Sequence, residues 1–106
     1  MLNNSSNTVE VIRFNSCTHG EKDLVGNVGD TVLNPNSNRQ YAAFINNSLY
    51  DITLILGDKS KGGINKGIVV KPRGGSYEIN QVNLYVGKVS AISANNSKLS
   101  FVECTE

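Results

Sequence analysis

Apolar positions in this chain fall in short runs of Val, Ile and Leu separated by clusters of Asn, Gly and Ser, a pattern that predicts strands and turns. The clearest pair is Arg39 to Asn46 and Leu49 to Leu56, with Asn46-Asn47-Ser48 between them as a tight turn. In the second of these runs Ile52, Leu54 and Leu56 share one face and are expected to point to the core, with Asp51, Thr53 and Ile55 on the other. Gly67 to Val70 and Ser76 to Ile79 predict a second hairpin around Lys71-Pro72-Arg73-Gly74-Gly75. Val89 to Ser93 and Leu99 to Glu103 predict a third, around Asn95 to Lys98. Turn signals recurring about every ten residues are the spacing of a sandwich or barrel.

Earlier in the chain the pattern is weaker. Residues 1–8 are polar and Asn/Ser-rich, which predicts a flexible N-terminal arm ahead of a single domain over residues 9–106. Val9 to Phe14 mixes β-branched and aromatic residues with charges and reads as a half-solvated strand. Between Asn15 and Pro35 the short apolar pieces Leu24-Val25 and Thr31-Val32-Leu33 are broken by Gly26, Gly29 and Asp30, leaving two short strands or a long loop. Helix is predicted to be scarce, because no long window carries an apolar stripe at helical spacing free of Gly, Pro and Asn. The fold class expected is all-β, a small antiparallel sandwich or barrel.

Composition sharpens this picture. At 106 residues the chain supports one core, and 39% hydrophobic against 18% charged residues shifts the remainder to turn and edge types. A net charge of +1 gives no global field toward nucleic acid or an anionic membrane, so neither is an expected partner. The first eight residues lack the features of a signal peptide and no run approaches the length of a membrane span, which predicts synthesis and folding in a cytosol. A reducing cytosol in turn predicts that Cys17 and Cys104 stay as ordinary thiols.

Candidate chemistry is sparse. Cys17, His19, Glu21 and Asp23 are zinc-ligand types, but they form one cluster without a second, so no metal or other cofactor is expected. Cys17 and His19 also lie two apart on one strand face as a conceivable nucleophile and base, with no orienting third group, and no enzyme activity is expected. Gly57 to Gly62 begins like a phosphate loop, yet Gly63 and Ile64 stand where Lys and Ser or Thr are required. Lys59, Lys61, Lys66, Lys71 and Arg73 cluster around one predicted strand with only Asp58 opposing them, the pattern of a blunted sheet edge or of a docking face for an acidic protein surface. Asn-x-Ser triplets beginning at Asn3, Asn4, Asn46 and Asn95 are expected by chance in so Asn- and Ser-rich a chain, and no glycan is expected on them.

From Asn38 onward several segments have a familiar arrangement. Asn-Arg-x-Tyr at Asn38 to Tyr41 is followed by Asn-Asn-Ser at Asn46 to Ser48, Ile-x-Leu-x-Leu-Gly at Ile52 to Gly57, and Gly-Ile-x-Val at Gly67 to Val70. Gly-Gly-Ser-Tyr-Glu-Ile at Gly74 to Ile79 and Asn-Leu-Tyr-x-Gly-x-Val-x-Ala-Ile at Asn83 to Ile92 complete the series. This two-thirds of the chain resembles small structural proteins of tailed bacteriophages, cyanophages among them, of the capsid cement or decoration type. The resemblance implies a β-sandwich or barrel carried in many copies on the virion, a homotrimer in preference to other assemblies, with the major capsid protein as partner. In that setting the five basic residues become candidate shell contacts. An alternative kept open is a tail or head-fibre domain that recognises a receptor glycan, although four Tyr, three Phe and no Trp supply few aromatics for it.

Overall fold

A computed structural model describes residues 14–106, and the arm expected over 1–8 and most of the strand expected over Val9–Phe14 lie outside them. Eight strands are present: β1 Ser16–Leu24, β2 Asp30–Leu33, β3 Arg39–Asn46, β4 Ile52–Leu56, β5 Ile68–Val70, β6 Ser76–Ile79, β7 Val89–Ile92 and β8 Ser97–Thr105. They form two antiparallel four-stranded sheets, in the orders β1-β8-β3-β6 and β2-β7-β4-β5. Between them lies the core, in which Leu24, Ala42, Phe44, Ile79 and Leu99 of the first sheet meet Leu33, Ile52, Leu54, Val70, Val89 and Ala91 of the second. Each large side chain sealed there contributes roughly 1.5–3 kcal/mol. The fold is the small β-sandwich that strand spacing and the shortage of helical stripes predict, and the described residues hold no α-helix.

From β3 onward the strands are where the pattern places them, but none of the three predicted hairpins forms. β3 and β4 belong to opposite sheets, and so do β5 and β6, and β7 and β8. The linking segments, residues 47–51, 71–75 and 93–96, instead cross the gap of about 10 Å between the sheets. Consecutive strands pair only at β4 and β5, through the long loop 57–67. The undecided region near the N-terminus supplies two real strands, with β1 pairing β8 along nine residues and β2 pairing β7.

Two further expectations change. On β4 both faces are buried, not one: Ile52 and Leu54 enter the core, Leu56 is exposed, and Thr53 and Ile55 are buried as well. The loop after β4 folds back over them. The Asn65 backbone N–H donates to Thr53 Oγ1 at 3.0 Å, the Ser90 hydroxyl donates to the Gly57 carbonyl, and Gly62 packs against Ile55 and so close to the Lys66 carbonyl that a side chain there would collide with it. Cys17 and Cys104, expected as free thiols, are joined in a disulfide. The register that sets Ser16 opposite Thr105 brings the two cysteines face to face on β1 and β8 despite their separation of 87 residues.

Candidate binding surfaces

The two ends of the sandwich are built differently. At one end lie the β1–β2, β3–β4, β5–β6 and β7–β8 connections, and Asn46, fully buried at the end of β3, ties the second and third of them together. Its Nδ2 donates to the carbonyls of Tyr50 and Val70, and its Oδ1 accepts from the Ser48 backbone N–H and hydroxyl. Main-chain bonds from Asn46 to Gly75 and from Gly74 to Asn46 add the β5–β6 turn. Ser93 completes the framework, donating its hydroxyl to the Asp51 carbonyl and accepting at its own carbonyl from Asn27 N–H. A buried amide has both donors and acceptors to satisfy, and here each finds a loop.

That frame presents an open groove of about 560 Å³ between the β1–β2, β3–β4 and β7–β8 connections. Val25, Leu49 and Tyr50 stand in water on its walls, at 61%, 63% and 45% exposure, and Asn47, Asn96, Ser97, Asp23 and Lys98 supply the polar side. A second, smaller cavity of about 200 Å³ lies on the other side of Tyr50, against Thr53, Asn65 and Asn95.

At the opposite end Arg39, also fully buried, organises the loops. A break in register between Arg39 and Tyr41 opposite Thr105 and Cys104 turns the Arg39 side chain inward while Tyr41 stays on the outer face. Its Nε donates to Glu103 Oε2 at 2.8 Å, one Nη to the carbonyls of Tyr85 and Gly87, and the other Nη to Asn34 O. The guanidinium thus fastens the β2–β3 and β6–β7 loops to β8. Loop 80–88 is further braced by Asn83 and Asn80, whose side-chain oxygens accept from Asn80 N–H and Val82 N–H, and by Asn83 Nδ2 donating to the Tyr77 hydroxyl and the Glu78 carbonyl. On this braced loop Val82 is 96% exposed, with Leu84 and Val86 also exposed.

The residues singled out from sequence are dispersed. Lys59 and Lys61 sit on a short 3₁₀ turn after β4, Lys66 on the returning loop, and Lys71 and Arg73 beyond the other end of β5. Lys71 pairs with Asp51 at 3.5 Å, and Lys88 with Asp58 at 3.2 Å, so acids interleave with this basic segment. Asp58 also caps the 3₁₀ turn: Ser60 N–H and hydroxyl donate to its carboxylate, and with Lys88 they hold its pKa down to about 2. His19 is exposed on the outer face of β1, and Cys17 beside it carries no thiol, because its sulfur is in the disulfide. On the same outer face Phe14 stacks on Tyr41, whose hydroxyl donates to the Glu78 carboxylate, and that bond raises the tyrosine pKa.

Both ends escaped the reading of sequence, though one signal was present. The triplets Asn46-Asn47-Ser48 and Asn95-Asn96-Ser97, expected as turns and as chance, come together at the same end, and Asn47, Ser48, Asn96 and Ser97 all line the larger groove. Comparison with protein-family models, with characterised proteins and with solved structures finds no match.

Proposed function

We propose that this chain is a capsid decoration protein: it docks on the outer surface of a phage shell, bridges neighbouring capsomers, and works as a homotrimer against the major capsid protein. The observation that carries the docking half is the braced loop 80–88. A Val82 side chain almost wholly in water, on a backbone already fixed by Arg39 and two asparagines, loses little entropy on binding and returns roughly 1.5–3 kcal/mol when a protein surface covers it. The disulfide supports a place on the outside of a released particle, where such bonds persist. The virion assignment itself draws on the resemblance from Asn38 onward. Lys59, Lys61, Lys66, Lys71 and Arg73 are secondary in this reading, since they are divided between the two ends of β5 and Lys71 is paired with Asp51.

Bridging contacts must break before capsomers separate, so shells stripped of the protein should fail at lower temperature and under milder osmotic shock than complete ones. Re-addition of purified protein should restore them, and Val82→Asp should bind stripped shells about tenfold more weakly, the equivalent of ~1.4 kcal/mol. Stripped shells that survive as well as complete ones would end this reading.

A further inference from the structure

We infer that the groove at the Asn46 end is a binding site for a neutral saccharide, a hexose or N-acetylhexosamine unit of a glycan chain. It does not depend on shell docking, which uses the opposite end of the sandwich.

Three features of the groove select that ligand class. The first is the polarity of its two amides, which is already set. Asn96 Oδ1 accepts from the Gly26 backbone N–H at 2.8 Å, so its Nδ2 is the group left to donate. Asn47 is oriented the other way, its Nδ2 donating to the Ser100 hydroxyl, so its Oδ1 is left to accept. A fixed donor and a fixed acceptor on one groove match a ring hydroxyl array, in which every hydroxyl both gives and takes a hydrogen bond. Second, the Ser97 hydroxyl on the groove wall is buried and has no hydrogen-bond partner among the described residues. A buried hydroxyl without a protein partner calls for an ordered water, and on this wall such a water can link the hydroxyl to a bound ring hydroxyl. Third, Tyr50 and Leu49 offer an exposed ring and an aliphatic branch to the C–H face of a sugar, while the phenol oxygen serves its rim.

Charge favours a neutral ligand. Asp23 and Lys98 face one another at 3.8 Å on the groove and balance, and Glu21 also lies 3.6 Å from Lys98, so an anionic sugar finds no surplus cation there. The groove volume of about 560 Å³ falls within the roughly 300–1,000 Å³ of small-ligand sites and admits a ligand of disaccharide size.

A glycan array of neutral oligosaccharides, followed by amide NMR titration with lactose and with N,N′-diacetylchitobiose at millimolar concentration, tests the site. The expected result is binding of at least one neutral probe, with amide shifts confined to residues 25–26, 47–50 and 96–98. Asn96→Asp keeps the acceptor for Gly26 and removes the free donor, and Tyr50→Ala removes the stacking ring. Each should weaken binding by about tenfold or more, whereas Val82→Asp should leave it unchanged. No neutral probe above background on the array and no shift at these amides would overturn the inference, as would full binding by Asn96→Asp or preferential binding of sialylated glycans.

Discussion

At one end of the sandwich the β3–β4 and β5–β6 connections converge on Asn46, a neutral amide whose partners are all neutral; at the other, two loops and a strand converge on Arg39, a permanent cation whose partners are one carboxylate and three carbonyls. Both residues are fully buried on β3, one at each of its ends. The difference teaches how each end tolerates change. A neutral amide costs little to desolvate and closes its own account with donors and acceptors in balance. A buried guanidinium has five donors and no acceptor, so its partners depend on it, and it depends on them to offset a large desolvation cost.

The largest expected effect concerns the covalent tie that only the Arg39 end possesses. Cys104 stands opposite both Cys17 and Tyr41, so the disulfide fastens β1 to β8 beside the Arg39 cluster. With cysteines 87 residues apart, the double variant Cys17→Ser, Cys104→Ser should lose about 4–5 kcal/mol in the chain-entropy account, measured by urea denaturation. Locally, amide exchange in the first half of β1 should rise well before exchange around Asn46. Equal acceleration at both ends would show that the tie acts on the whole sandwich and not on one end.

How much of this was legible in the sequence follows from the physics of each feature. Strand positions from β3 onward were, because runs of β-branched and aromatic residues bounded by Asn, Asp and Gly carry their own signal, as in Ile52 to Leu56 between Asp51 and Gly57, whereas the polar run Ser16 to Leu24 carries none. Strand partners were not. A connection such as 47–51 is long enough either to turn back within a sheet or to cross to the opposite one. What decides is Asn46, whose side chain reaches the Val70 carbonyl on the other sheet. The pairing of Cys17 with Cys104 was hidden for the same reason, since it follows from the β1–β8 register and not from local composition. On β4 the core positions Ile52 and Leu54 were legible, but Leu56, expected beside them, is exposed, and the burial of Thr53 and Ile55 on the other face was not legible, because the return of loop 57–67 over them is a tertiary event. The groove shared this fate: its two Asn-Asn-Ser triplets are 49 positions apart in the chain and become one site only through the sandwich.

Next in size is the exchange of the two hubs' chemistry. Arg39→Met should cost roughly 3–4 kcal/mol, because it leaves Glu103 without its cation and three carbonyls without donors. Arg39→Lys should recover only a minor part of that, since a single ammonium cannot reproduce the planar fork that reaches Tyr85, Gly87 and Asn34 together. Asn46→Ala should cost less, about 2–3 kcal/mol, from the side-chain bonds lost to the Val70 carbonyl and the Ser48 N–H, the Tyr50 carbonyl keeping the Ser48 hydroxyl as donor. Asn46→Asp sharpens the comparison most. It keeps the acceptors for Ser48 but buries a charge, so it should be worse than Asn46→Ala at neutral pH and recover on acidification, a pH dependence the native Asn46 lacks. If Asn46→Asp and Asn46→Ala unfold alike at every pH, this end is wetter than its full burial implies.

Smallest in free energy, and most local, is the response to acid near the Arg39 end. Asp58 caps the 3₁₀ turn after β4 and pairs with Lys88, the residue after Gly87. Ser60 N–H and hydroxyl, then Lys88, lower its pKa from the ordinary 3.8 to about 2. A depressed carboxyl pKa means that the folded state binds a proton less readily than the unfolded one. The turn's contribution is therefore fully present above about pH 4 and is lost as pH falls through about 2. Asp58 is exposed, so the effect should be visible as local loosening and not as a large loss of stability. Amide exchange at Ser60 and Lys61 should quicken across that window, while amides held by Asn46 and Ser93, whose side chains do not titrate, stay constant. Asp58→Asn retains an acceptor for Ser60 and removes the charge, so it should abolish the pH dependence of the turn while leaving it closed. A turn that still opens at low pH in Asp58→Asn would locate the acid sensitivity elsewhere, with Glu103 beside Arg39 as the next group to replace.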